Sequence, residues 1–144
     1  MNRIIDIRAG DKMLICRTDR IGDLILAVPF IETIKIRYPE IAVDVMASDY
    51  ASPVLENNPH VDSVFQINRE LLKVDNMYRK NFLAQLRAGK YQAAVALFPE
   101  RYVSFFLWKA GIPIRAGSGR RLHSLFFNRR LYHARNAAAK HECE

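Results

Sequence analysis

The stretch KMLICRTDRIGDLILAVP (residues 12–29) changes its hydrophobic rhythm halfway along. KMLICR (12–17) is apolar between charged ends and reads as a short buried strand. Beyond it Ile21, Leu24, Ile25, Val28, Ile31 and Ile34 recur every three or four residues, which is one face of a helix. Pro29 interrupts that face. A kink or a fresh helix start is expected there, because proline lacks an N–H and crowds the preceding turn. Strand and helix are joined by RTDRIGD (17–23), which sets Asp19 and Asp23 on either side of Gly22, with Arg17 and Arg20 close by.

The alternation continues outward. IAVDVMAS (41–48) is a second strand, rich in β-branched and apolar residues. A short helix is expected from about residue 49, ended by Asn57-Asn58-Pro59, and DSVFQI (62–67) is a third strand. Residues 69–89 read as one helix, with Leu71, Leu72, Met77, Phe82, Leu83 and Leu86 facing inward and Gly89 as its stop. YQAAVALF (91–98) is a fourth strand. A helix over 101–110 follows, stopped by Gly111, with Phe105, Phe106 and Trp108 expected in the core, and IPIRAG (112–117) is a fifth strand. The tail ARNAAAKHECE (134–144) reads as helical. Strands separated by helices at this spacing imply parallel pairing through helical crossovers, an α/β doubly wound sheet. Ligands bind such sheets beyond the carboxyl ends of the strands, and RTDRIGD occupies one such place.

The 144 residues are enough for one domain with a real core and too few for two ordinary ones. No apolar run approaches the roughly 20 residues of a membrane span. The first dozen residues carry Asp6 and Asp11 and lack the apolar core of a secretory signal. Cys16 and Cys143 give neither a disulfide framework nor a metal spacing, which fits a reducing cytoplasm. His123 and His133 have no metal-ligand spacing either. The net charge of +7 is concentrated after residue 100: residues 1–100 balance 13 basic against 13 acidic side chains, and no acid occurs between Arg101 and His141. Such a surface suits an anionic partner, whether nucleic acid, acidic lipid or an acidic small molecule.

A dinucleotide or P-loop site would need a glycine-rich first turn, and only Gly22 is present there. What the turn does offer is Asp23, a carboxylate in the first turn of a helix. A structural reading is available: the helix dipole favours an acid at that place, and Thr18 or Asp19 could serve as N-cap. In the chemical reading the ionised carboxylate accepts a proton.

The segment ICRTDRIGDLILAVPFIETIKIRYPEIAVDVMAS (15–48) resembles the opening of glycosyltransferase family 9, the ADP-heptose:lipopolysaccharide heptosyltransferases. The likeness runs on through YASPVLENNPHVDSVFQI (50–67), RAGKYQAAVALFPERYVSFFLWKAGIPIRAGSGRR (87–121), LFFNRRL (125–131) and KHECE (140–144). The resemblance implies the amino-terminal, Rossmann-like half of a GT-B enzyme over residues 1–144, with the donor-binding second domain absent. It implies inverting, metal-independent transfer of a heptose to the lipopolysaccharide inner core, with no cofactor and with a nucleotide sugar such as ADP-heptose as substrate. Asp23, the acid of the Gly-Asp pair, falls on the family's general base, and Gly22 would leave the backbone uncrowded beside the acceptor. Asp19 better suits a cap. Candidates for the acidic acceptor are Arg20, Arg79, Lys80, Arg120 and Arg121, since arginine pairs bidentately with carboxylates and phosphates. Each also reads as a solvated surface charge.

The implied setting is cytoplasmic, with peripheral contact at the inner face of the bacterial inner membrane. Without its second half the isolated chain is expected to transfer heptose poorly and to self-associate through uncovered apolar surface or its last helix. A binding module for acidic glycans or lipids that has lost catalysis is the alternative reading. A nucleic-acid-binding domain, suggested by the arginine–aromatic interleaving of SGRRLHSLFFNRRL (118–131), is a further one.

Overall fold

A computed structural model describes residues 6–119 and 122–131. Six strands form one parallel sheet: β1 (Lys12–Cys16), β2 (Ala42–Ser48), β3 (Ser63–Ile67), β4 (Ala93–Ala96), β5 (Ile114–Ser118) and β6 (Arg129–Leu131). Their spatial order is β3-β2-β1-β4-β5-β6, that of a Rossmann-like doubly wound fold. The helices are α1 (Ile21–Arg37), α2 (Arg69–Val74), α3 (Asn76–Ala88) and α4 (Arg101–Lys109), with short 3₁₀ turns at Ser52–Leu55 and Leu122–Phe126.

The sheet separates two cores, as alternation along each strand requires. On one face Leu24 and Ile31 of α1 pack with Met13, Ile15, Val43 and Val45. On the other, Phe82 and Leu86 of α3 and Val103, Phe106 and Leu107 of α4 pack with Leu14, Cys16 and Met46. The rings of Phe82 and Phe106 meet edge to face at 5.4 Å. Each fully buried aliphatic or aromatic side chain contributes roughly 1.5–3 kcal/mol. Cys16 belongs to this core, and burial pushes its thiol up and away from reactivity.

Several expectations are corrected. Helix α1 runs unbroken through Pro29. Pro29 and Ile25 are both exposed, so the Ile25 carbonyl that loses its donor can be hydrated. Its buried stripe is Leu24, Ala27 and Ile31, while Ile21 and Ile25 face solvent. The helix expected over 69–89 is two. Asp75 breaks it and caps the second piece, its carboxylate accepting from the Tyr78 amide at 2.8 Å. Leu71 and Met77 are consequently exposed, as is Trp108. Gly89 ends α3 for a packing reason, not a conformational one: a Cβ there would lie 2.3 Å from the Tyr91 ring. Gly111, by contrast, has φ +77, the left-handed conformation that stops α4. Strand β6 was not expected at all. Among the described residues no helix is long and apolar enough to cross a membrane. The tail helix expected over 134–144 and the residues Arg120, Arg121, His133 and Cys143 lie outside the described residues.

Candidate active site

From β1 the chain crosses one face of the sheet as α1, and from β4 it crosses the other as α4. The crevice opened by that divergence lies beyond the carboxyl ends of the two strands, where this fold class binds ligands. Its near wall is Arg17–Asp23 and its far wall Leu97–Arg101, adjacent through the Leu97 amide bonding the Cys16 carbonyl at 3.0 Å.

Arg17 organises the near wall. Its Nε lies 2.8 Å from Asp19 Oδ1, a close ion pair without the alignment of a hydrogen bond. Its Nη2 lies 3.3 Å from Asp23 Oδ1. Nη1 donates to the Leu97 carbonyl at 3.4 Å, and the guanidinium stands 5.9 Å from the Phe98 ring centre. One cation therefore bridges two carboxylates and joins both walls.

The two acids sit at different depths. Asp19 has a side chain only 10% exposed, while that of Asp23, the third residue of α1, is 32% exposed. Burial is the main force raising the Asp19 carboxyl above its ordinary value. The Arg17 charge opposes it, and the neighbouring Asp23 adds to it. Neither Thr18 nor Asp19 caps α1: the N-cap is Arg20, with no side-chain cap, because both candidate side chains are engaged elsewhere. Thr18 Oγ1 donates to Glu100 Oε1 at 3.2 Å, and Asp19 turns to Arg17 while its carbonyl accepts from the Tyr50 hydroxyl at 2.9 Å.

Gly22 is exposed beside Asp23, and a Cβ added there would meet no atom within 4 Å. Arg20 is exposed next to it and forms no ion pair among the described residues.

On the far wall Glu100 is held by Arg69 Nη2 at 2.7 Å. These two line an open crevice of about 900 Å³ with Phe98, Arg101, His123 and Phe126. Arg101 also lines a second groove, of about 610 Å³, between α3 and α4, and there the structure places Arg79 and Lys80. Lys80 is exposed. Arg79 instead closes the end of α2, donating to the carbonyls of Leu72 at 2.8 Å and of Lys73. Arg20, Gly22 and Asp23 thus share one wall, Arg79 and Lys80 occupy a neighbouring groove, and Arg120 and Arg121 lie outside the described residues. Part of the basic excess is engaged by the fold itself, since Arg115 and Arg130 donate to backbone carbonyls. Among the described residues no cluster of three His, Cys, Asp or Glu side chains is placed to hold a metal ion.

The comparisons with known proteins bear on the fold. No family model matches the chain. A provisionally named glycosyltransferase of Haemophilus influenzae is 24% identical over 93% of this chain and 38% of its own length. Lipopolysaccharide heptosyltransferase 2 of Escherichia coli is 29% identical over 74% of this chain and 30% of its own. The solved structure of the E. coli heptosyltransferase WaaC with ADP-2-deoxy-2-fluoro heptose superposes with a TM-score of 0.77 at 20% identity, over 92% of this chain and 44% of that one. The chain resembles glycosyltransferase family 9 heptosyltransferases in sequence and shares their fold. It spans about a third of the length of the curated relatives it matches.

The sequence alone does not single out Arg17, Glu100, Arg69 and Arg101 as candidates, and it reads Asp19 as a cap. Glu100 and Arg69 become neighbours only through the strand order. The signal that could have found them is the position of FPER (98–101) just past the strand beside β1.

Proposed function

We propose that this chain forms the acceptor side of a heptosyltransferase-type glycosyltransferase, with Asp23 as general base, and that the nucleotide-sugar donor is held by a further domain. The observation that carries this reading is the Asp23 carboxylate itself: 3.3 Å from the Arg17 guanidinium, one-third exposed, just beyond the carboxyl end of β1, with open space over Gly22. An acceptor hydroxyl seated there gives its proton to Asp23 as its oxygen attacks the anomeric carbon. The bond from that carbon to the leaving nucleoside diphosphate breaks on the opposite face, inverting the centre. Nothing in the proton transfer calls for a metal. The acceptor we infer is the acidic lipopolysaccharide inner core, whose carboxylates and phosphates suit Arg20, Arg101 and Lys80. We place Arg120 and Arg121 in the same role, and the setting at the inner face of the bacterial inner membrane.

The test is transfer from ADP-heptose to a lipopolysaccharide core acceptor, with a donor domain supplied in trans, for the native chain and Asp23→Asn. Loss of at least about a hundredfold in rate, with acceptor binding intact, is expected for removal of a general base. Unchanged transfer refutes the assignment. Acceptor binding without transfer by any combination supports instead a glycan-binding module that has lost catalysis.

A further inference from the structure

The reading of Asp23 as base leaves Asp19 unexplained. It is not a cap, yet it keeps a nearly buried acid within reach of the same guanidinium. Arg17 supplies one positive charge to two carboxylates, so the fully ionised unit carries a net charge of −1 in a site walled by Phe98 and the Leu97 carbonyl. No other cation compensates it among the described residues. Lys12 pairs with Asp44 at the opposite end of β1, Arg69 is taken by Glu100, and Arg20 is exposed. Nearby acids are engaged elsewhere: Glu100 with Arg69 and Thr18, Asp49 with the Asn68 side chain and the Tyr50 amide. Tyr50 reaches only the Asp19 carbonyl. A single proton is the smallest way to neutralise such a unit.

We propose that Asp19 and Asp23, bridged by Arg17, form a two-carboxylate unit that seats one proton between them, so that the proton Asp23 takes from the acceptor hydroxyl is shared with buried Asp19. This rests on Asp23 being the base. Asp23 faces the acceptor, and Asp19 and Arg17 are positioning residues that act through it. In the step, the acceptor O–H bond breaks and its proton goes to the carboxylate pair. The new bond joins the acceptor oxygen to the anomeric carbon, and the bond from that carbon to the nucleoside diphosphate breaks, its electron pair leaving on the diphosphate. Burial raises the proton affinity of Asp19 and so gives the unit a deeper seat than a solvent-facing carboxylate.

The test is a carbon-detected NMR titration of the Asp19 and Asp23 carboxyl groups in this chain. In the native protein both resonances should report the same two linked steps. Asp23→Asn, at a part-exposed position expected to keep the fold, should lower the Asp19 midpoint by roughly one pH unit, since a neighbouring negative charge is removed. Arg17→Gln should raise it by a similar amount, and Arg17→Lys should restore part of the native value. An Asp19 midpoint unmoved by Asp23→Asn in a protein with a native amide spectrum overturns the inference, because two carboxylates that share a proton must sense one another.

The transfer assay separates this failure from failure of the base assignment. Asp19→Asn should lower kcat about tenfold, an effect of the size seen for supporting groups, and should move the acidic limb of the pH profile. Loss of transfer in Asp23→Asn with a native rate and pH profile in Asp19→Asn sinks the shared proton and leaves the base standing. Full transfer by Asp23→Asn removes both.

Discussion

Gly22→Ala separates a glycine required by the fold from one required by a ligand. Gly22 is the second residue of α1, has no positive φ, and offers a Cβ nothing within 4 Å. The fold therefore has no steric or conformational need for glycine there. Alanine is favoured over glycine by about 1 kcal/mol within a helix, and by about half that in a first turn where fewer helical bonds are at stake. We expect Gly22→Ala to stabilise the chain by about 0.5 kcal/mol, raising Tm by about 1–2 °C for a protein of this size. Urea and thermal unfolding, followed by circular dichroism, measure both. A loss of 0.5 kcal/mol or more would mean that the space over Gly22 is filled by the protein itself, and the argument would fail. The functional half runs the other way: the new methyl stands in open space beside Asp23, so on the proposed reading acceptor binding should weaken as stability rises. A variant both more stable and fully competent for acceptor binding would remove Gly22 from the site.

Two further outcomes concern the frame that carries the site. Asp62 Oδ2 accepts from Lys35 Nζ and from the Val43 amide, both at 2.7 Å, tying the last turn of α1 to β2. Burial alone would raise its carboxyl, but these two bonds and the Lys35 charge outweigh that and hold it below its ordinary value. A depressed carboxyl contributes stability above the unfolded value near about pH 4 and loses it as pH falls through the folded value. Because this side chain is 44% exposed, screening limits the effect, and Asp62→Asn should cost about 1 kcal/mol at pH 7. Unfolding at pH 7 and pH 3 should show the gap closing in acid; an equal gap at both would contradict the assignment. Gly117→Ala should cost roughly 1–3 kcal/mol, because overpacking a core is destabilising. Its Cβ would stand 2.6 Å from the buried ring of Phe127, so a native Tm would show that ring to be freer than its packing suggests.

The strands plainest in the sequence are those whose burial is complete, MLIC at 13–16 and AAVA at 93–96, where both faces need apolar residues. Strand β6 escaped because it is three residues at the sheet edge, two of them exposed arginines, held by pairing to β5 more than by its own composition. The break at Asp75 was visible in principle, since Asp-Asn after a valine is an N-cap signal, but the apolar period on either side bridged it. The Gly-Asp pair could be found because its chemistry is local. The Arg17 bridge to Leu97 and the Thr18–Glu100 bond span 80 and 82 residues, and no local pattern encodes such distances.

The two hydrophobic clusters, one on each face of the sheet, have a consequence for how this site can change over time. The wall that bears Asp23 rests on the core beneath α1, and the wall that bears Glu100 and Arg101 rests on the core beneath α4. Substitutions that repack one core reach the other wall mainly through backbone strands that both share. Side chains on the α4 side can therefore be exchanged, residue by residue, while the Arg17–Asp19–Asp23 cluster on the α1 side stays in register.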